Sequence, residues 1–207
     1  MGFGWLTIGY FFVATVSMTA LSLQSPLAIG ILAGYPMMVF GLYLLAHYHR
    51  YFRVAFYTSL PTLLLAVYYA FQALAQFGLS VPLITSAAST VSWLHFAWHS
   101  LLTFLFLLGI ADLCRELGLM RHRINAWRNV FLFALTTLLD FISRLPIGFI
   151  QTYQGYFLTP ALLVRLAVVF LNLHLLFSCF RDICSADEGI VESERKRRKE
   201  KANDKES

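Results

Sequence analysis

The stretch Ala161-Leu-Leu-Val-Arg-Leu-Ala-Val-Val-Phe-Leu-Asn-Leu-His-Leu-Leu-Phe-Ser-Cys-Phe180 holds one charged residue in twenty, Arg165. A bilayer's hydrocarbon core is about 30 Å thick and a helix rises about 1.5 Å per residue, so this run reads as a spanning helix. Five similar runs precede it, at about Phe3–Leu23, Leu27–Ala46, Val54–Phe77, Ala87–Ile110 and Val130–Ile150. Over all 207 residues, 58% are hydrophobic and 13% charged, where a soluble domain carries about 25% charged residues. One core of this size cannot bury so much apolar surface, and lipid can. The sequence therefore predicts an all-α integral membrane bundle of six transmembrane helices, residues 1–181, followed by a charged tail, 182–207.

The charge map orients the bundle. Two of the 16 basic residues lie in 47–53 (Arg50, Arg53), four in 112–129 (Arg115, Arg121, Arg123, Arg128) and eight from Arg181 onward. The alternate loops, 24–26, 78–86 and 151–160, carry no charge. Basic loops stay in the cytoplasm. Both termini are therefore expected there, in a multi-pass protein of the cell membrane. The first run has no basic residue before it and reads as a retained helix rather than a secretory signal. Position 6 lacks the Ser or Thr of a myristoylation signal.

The runs pair into three helical hairpins with short outer turns. Each returning helix follows a proline (Pro26, Pro82, Pro160), a residue suited to a first helical turn. The third and fifth runs open alike, from Arg53 and Arg128, and the fourth and sixth close on Asp112-Leu-Cys114 and Asp182-Ile-Cys184. A duplicated hairpin would leave this pattern, and so would chance among few residue types. Cys114, Cys179 and Cys184 form no CxxC pair and read as small apolar fillers on a reducing side. The tail's Arg195-Lys-Arg-Arg-Lys199 would attract anionic headgroups, but seven acids from Asp187 onward offset it, which favours a solvated tail.

Three charges fall inside apolar runs: Asp140, Arg144 and Arg165. Charge at membrane depth is costly and should be paired or face a cavity. Asp140 and Arg144, four apart, share a helix face and could pair. His95 and His99 share a face of the fourth run, and Asn172 and His174 lie at similar depth in the sixth. If the last three helices pack together, these seven residues form one polar cluster, with Trp93 and Trp98 nearby. Three readings stay open. The groups could simply hydrogen-bond between helices. Two Arg against one Asp could bind a small anionic solute from the outer side, since Arg offers a planar fork of donors. His95, His99 and His174 could ligate a metal, although a fourth ligand is missing. No GxSxG, HExxH, P-loop or GxGxxG motif occurs, so enzymatic chemistry has little support and no cofactor is implied. No nucleic-acid-binding pattern occurs either.

Gly2-Phe3-Gly4-Trp5-Leu6, Gly34-Tyr35 and Arg50-Tyr51-Phe52-Arg53 resemble a group of small multi-pass membrane proteins from Clostridia-like bacteria. The likeness covers the first third of the chain. The acid and aromatic that often precede the Gly-Tyr pair in that group are replaced here by Ile31-Leu32-Ala33. The resemblance implies a bacterial membrane protein and transfers no site. The layout is also similar to the substrate-binding subunits of energy-coupling-factor vitamin transporters, by architecture alone.

The expected function is binding or transport of a small anionic solute through the polar cluster. The alternative is a non-enzymatic scaffold or regulator acting through its tail. The expected partners are the lipid bilayer, a small anionic ligand and other membrane subunits.

Overall fold

The computed structural model describes residues 2–19, 29–75, 88–143 and 160–183. They form six helices: α1 Gly2–Thr19, α2 Ile29–Leu45, α3 Arg50–Ala75, α4 Ala88–Glu116, α5 Met120–Ser143 and α6 Pro160–Ile183. No strand occurs among the described residues. Pro160 opens α6 as expected, while Pro26 and Pro82 lie outside the described residues, as do Arg144, Cys184 and the tail from residue 184.

Among the described residues, three helices are long and apolar enough to cross a membrane: α3, α4 and α6. The expectation was six. Among the described residues, the apolar stretches of α1 and α2 run over Gly2–Thr15 and Gly30–Leu45. In α5 the reason is polarity. The expected 112–129 loop is mostly helix: α4 continues to Glu116, and α5 begins at Met120 and carries Arg121, Arg123 and Arg128 before its apolar half. Between them stand only Leu117, Gly118 and Leu119. Gly118 ends α4 in a left-handed conformation, φ 70°. Its N–H donates to the Arg115 carbonyl at 3.2 Å and Leu119 N–H to that of Cys114 at 2.9 Å. This is a Schellman cap, and it needs a residue without a Cβ penalty.

Consecutive helices are neighbours from α1 to α5. α6 lies against α5, where Asn129 Nδ2 donates to the Leu171 carbonyl, and returns to α1, where Phe180 packs beside Gly4. The buried interior is apolar and aromatic, with Leu6, Met38, Leu42, Phe52, Leu102, Phe106, Ile110 and Leu176 fully enclosed. The outside is apolar too: Leu64 is 75% exposed, Phe131 70% and Phe170 61%. Water would not tolerate that coat, whereas hydrocarbon does.

α1 and α2 touch backbone to backbone. A Cβ at Gly9 would fall 2.5 Å from the Met38 nitrogen, and one at Gly41 would fall 2.6 Å from the Leu6 nitrogen. Gly2 and Gly9 are seven apart, and so are Gly34 and Gly41, so both pairs repeat on one face over two turns.

α3 contains Pro61, which has no N–H to give the Tyr57 carbonyl and opens the preceding turn. Side chains bond the carbonyls around that break. Trp98 Nε1 donates to the Thr58 carbonyl at 2.6 Å, and the buried Ser59 and Thr62 hydroxyls donate to Phe56 and Ser59 carbonyls. Such repair is what permits proline in an apolar helix.

At the opposite end of the bundle from the α6 start, two histidines pair with acids. His49 Nε2 lies 3.0 Å from Asp112, and Arg115 reaches the same carboxylate. His122 Nε2 lies 2.7 Å from Asp182, which Arg181 also holds. Each histidine joins the start of a hairpin, α3–α4 or α5–α6, to an Asp near its end. Cys114 and Cys179 are buried and unbridged.

Candidate functional site

His95 and His99 do face the interior from α4, but their partners come from the first three helices. Tyr35 on α2 places its hydroxyl 2.6 Å from His95 Nε2, and Tyr69 on α3 places its hydroxyl 2.8 Å from His95 Nδ1. Both tyrosines are essentially enclosed. A neutral imidazole has one N–H and one bare nitrogen, so one phenol donates to the ring and the other accepts from it. With both nitrogens engaged, neither is open to a metal in this arrangement. Among the described residues, no three of His, Cys, Asp or Glu gather as a metal site.

One turn along α4, the His99 ring lies 5.9 Å from that of His95. Tyr10 of α1 lies nearly parallel to His99, centroids 6.5 Å apart, and edge-on to Phe106 at 5.5 Å. The Tyr10 hydroxyl accepts from Asn172 Nδ2 of α6 at 2.9 Å. Three atoms here are buried without a hydrogen-bond partner among the described residues: His99 Nδ1, Thr103 Oγ1 and Asn172 Oδ1. Thr103 follows His99 by four and continues its face. Buried polar groups in native structures are nearly always satisfied, and these three lack a partner among the described residues.

Asp140 and Arg165 meet across α5 and α6 at 3.3 Å. The pair expected within α5, Asp140 with Arg144, reaches beyond the described residues. Arg165 precedes Asn172 by seven and shares its face, and it lies within electrostatic reach of Tyr10 and His99. His174 is exposed, because two residues turn a helix by about 200° and carry it away from Asn172. Trp93 is also exposed, against Phe96 and Phe141. Sequence reasoning missed Tyr10, Tyr35, Tyr69 and Thr103. A signal existed: these tyrosines stand in the middle of apolar runs, away from the interfaces where tyrosine is usual.

The ion pair yields a direct prediction. Asp140→Ala strands the Arg165 charge, so it should lower the melting temperature in detergent. Asp140→Asn with Arg165→Gln, which removes both charges, should lower it less than either single change. Equal losses in the single and double variants would argue against the pair.

The described residues are thus all helical, with a polar constellation within the bundle and three helices fit by length and composition to span a bilayer, which fits a membrane protein by class. Comparisons with protein families, curated proteins and solved structures found no match.

Proposed function

We propose that all six helices cross a bacterial cytoplasmic membrane as three hairpins, with both termini cytoplasmic, and that the bundle binds a small solute between α1, α4 and α6. The topology rests on the segregation of charge, with the uncharged turns outside. Cysteines introduced at positions 80 and 154 should react with an impermeant maleimide from outside, and one at Gly118 should not; the reverse pattern would invert the topology.

The observation that carries the binding reading is the set of open valences on His99, Thr103 and Asn172 beside Arg165. A site for a small ligand needs a few convergent polar groups among apolar walls, and His99, Thr103 and Asn172 would be the polar groups of such a site. An anion would find Arg165 already engaged by Asp140 and would depend on Arg144 for further charge. Transport fits the same site, since solute sites in carriers lie near the bilayer midplane between helices. Binding is tested by a ligand screen read as thermal shift on the purified full-length protein, repeated on Arg165→Ala and Asn172→Leu. A wild-type shift that both variants lose supports the reading. A screen that stabilises nothing, or stabilises all three proteins equally, removes it.

A further inference from the structure

Resting on the proposed topology, which puts the start of α5 on the cytoplasmic side, we infer that the first half of α5 is a binding surface for anionic phospholipids. Arg121, Arg123 and Arg128 hold the phosphate, and the stripe of Met120, Ile124, Trp127 and Phe131 lies along the acyl chains.

The apolar face carries half of this. Outward residues recur along α5 at steps of three and four, from Met120 through Ile124, Trp127, Phe131 and Leu135 to Leu138. Such steps keep one face of a helix. All six are exposed, Phe131 at 70% and Ile124 at 62%. Ala126, Asn129 and Thr136 are buried on the other side of the helix. Ile142 is exposed one turn further on and extends the stripe. From Met120 to Ile142 the helix rises about 33 Å, close to the roughly 30 Å of a hydrocarbon core. The bases of the first turns therefore flank a stripe of spanning length and do not interrupt it. Trp127 is half exposed in its inner part, where indole rings anchor helices to the interface.

Charge carries the other half. Arg121 and Arg128 are exposed and seven apart, so they share one edge of the stripe, and Arg123 lies on its other edge. Among the described residues no carboxylate pairs with any of the three. The acids at this end are engaged elsewhere: Asp112 by His49 and Arg115, Asp182 by His122 and Arg181, and Glu116 lies 3.5 Å from His49. Asp140, the one acid in α5, lies about 18 Å further along and faces Arg165. Arg128 Nη2 donates to Asn129 Oδ1 at 3.2 Å, which ties its head to the helix edge. An arginine at the edge of an apolar face lays its stem along the lipid and sends its head to the interface. There a phosphate offers the acceptors that the guanidinium fork fits. A zwitterionic headgroup also brings an ammonium, which finds no unengaged carboxylate among the described residues here. An anionic headgroup brings net negative charge, and each base held at such a surface favours it about fivefold.

The test places a probe on the stripe. Ile124→Cys in a Cys184→Ser background is labelled with bimane, and the full-length protein is reconstituted in phosphatidylcholine. Quenching is then compared for phosphatidylglycerol and phosphatidylcholine brominated in their acyl chains. The anionic lipid should be favoured about fivefold or more, and less so in high salt. Arg121→Gln with Arg128→Gln, both exposed, should bring the ratio close to one. Glutamines in place of the five bases of 195–199 should leave it unchanged. Bimane at Phe170→Cys, on the exposed face of α6, should show no preference. Equal quenching by the two lipids at position 124 overturns the inference, and so does a preference that survives loss of both arginines. No quenching by either lipid means that protein covers the stripe, a second copy included, and overturns it too. None of these results touches the topology, which falls separately if a cysteine at position 118 labels from outside.

Discussion

Replacing Gly41 with leucine is expected to prevent α1 and α2 from docking. A Cβ there would stand 2.6 Å from the Leu6 nitrogen, 2.9 Å from the Gly2 carbonyl oxygen and 3.0 Å from the Leu6 Cα. All three are backbone atoms, so no rotamer change relieves the clash and the helices must move apart. Overpacking that side chains can absorb costs about 1–3 kcal/mol, and a clash with backbone should reach or exceed the upper figure. The close approach also supports Cα–H···O contacts between the helices, which separation would lose. Fluorescence-detected gel filtration in mild detergent should show Gly41→Leu aggregated or absent. Gly41→Ala should fold with a lowered melting temperature. Gly4→Ala is the control: its nearest neighbour is the Phe180 ring at 3.4 Å, an ordinary contact, so it should behave as wild type. A monodisperse Gly41→Leu with the wild-type melting temperature would remove backbone contact as the basis of the α1–α2 interface.

His95→Leu should be nearly as damaging, for a different reason. It leaves the hydroxyls of Tyr35 and Tyr69 buried without their partner ring. A hydrogen bond between membrane-embedded side chains is worth about 0.6 kcal/mol on average and up to about 1.7, so losing both should cost about 1–3 kcal/mol. The same argument predicts strong non-additivity. Adding Tyr35→Phe and Tyr69→Phe to His95→Leu removes the stranded hydroxyls and should restore much of the lost stability, because an apolar set of similar shape carries no desolvation penalty. Thermal melts of the single, double and triple variants measure this. A triple variant as unstable as the sum of its parts would mean that the three side chains do not act as a unit.

Some of the architecture could be read without coordinates. Apolar runs announce helices because transfer into hydrocarbon is close to additive along a segment, whichever neighbours the segment later meets. The ends were less legible. Arg50 and Arg53 belong to the first turn of α3, and the bases of 121–128 belong to α5, because a helix continues past the hydrocarbon boundary as long as its backbone bonds are satisfied. The polar cluster was half legible. His95, His99, Asp140, Arg165 and Asn172 announced themselves by polarity at membrane depth, whereas Tyr10, Tyr35 and Tyr69 passed as ordinary aromatic residues.

By itself, then, the sequence determined that this chain is helical and apolar enough for lipid, and which residues carry charge into its apolar runs. Those are properties of single segments. Only the tertiary structure decided which helices meet: that Tyr35 and Tyr69 bracket His95, that Asp140 faces Arg165, that Asn172 turns inward and His174 outward, and that glycines let α1 and α2 touch. Each of these depends on two surfaces brought together from distant parts of the chain, and helix packing is set by local shape and small residues that leave little mark on hydropathy.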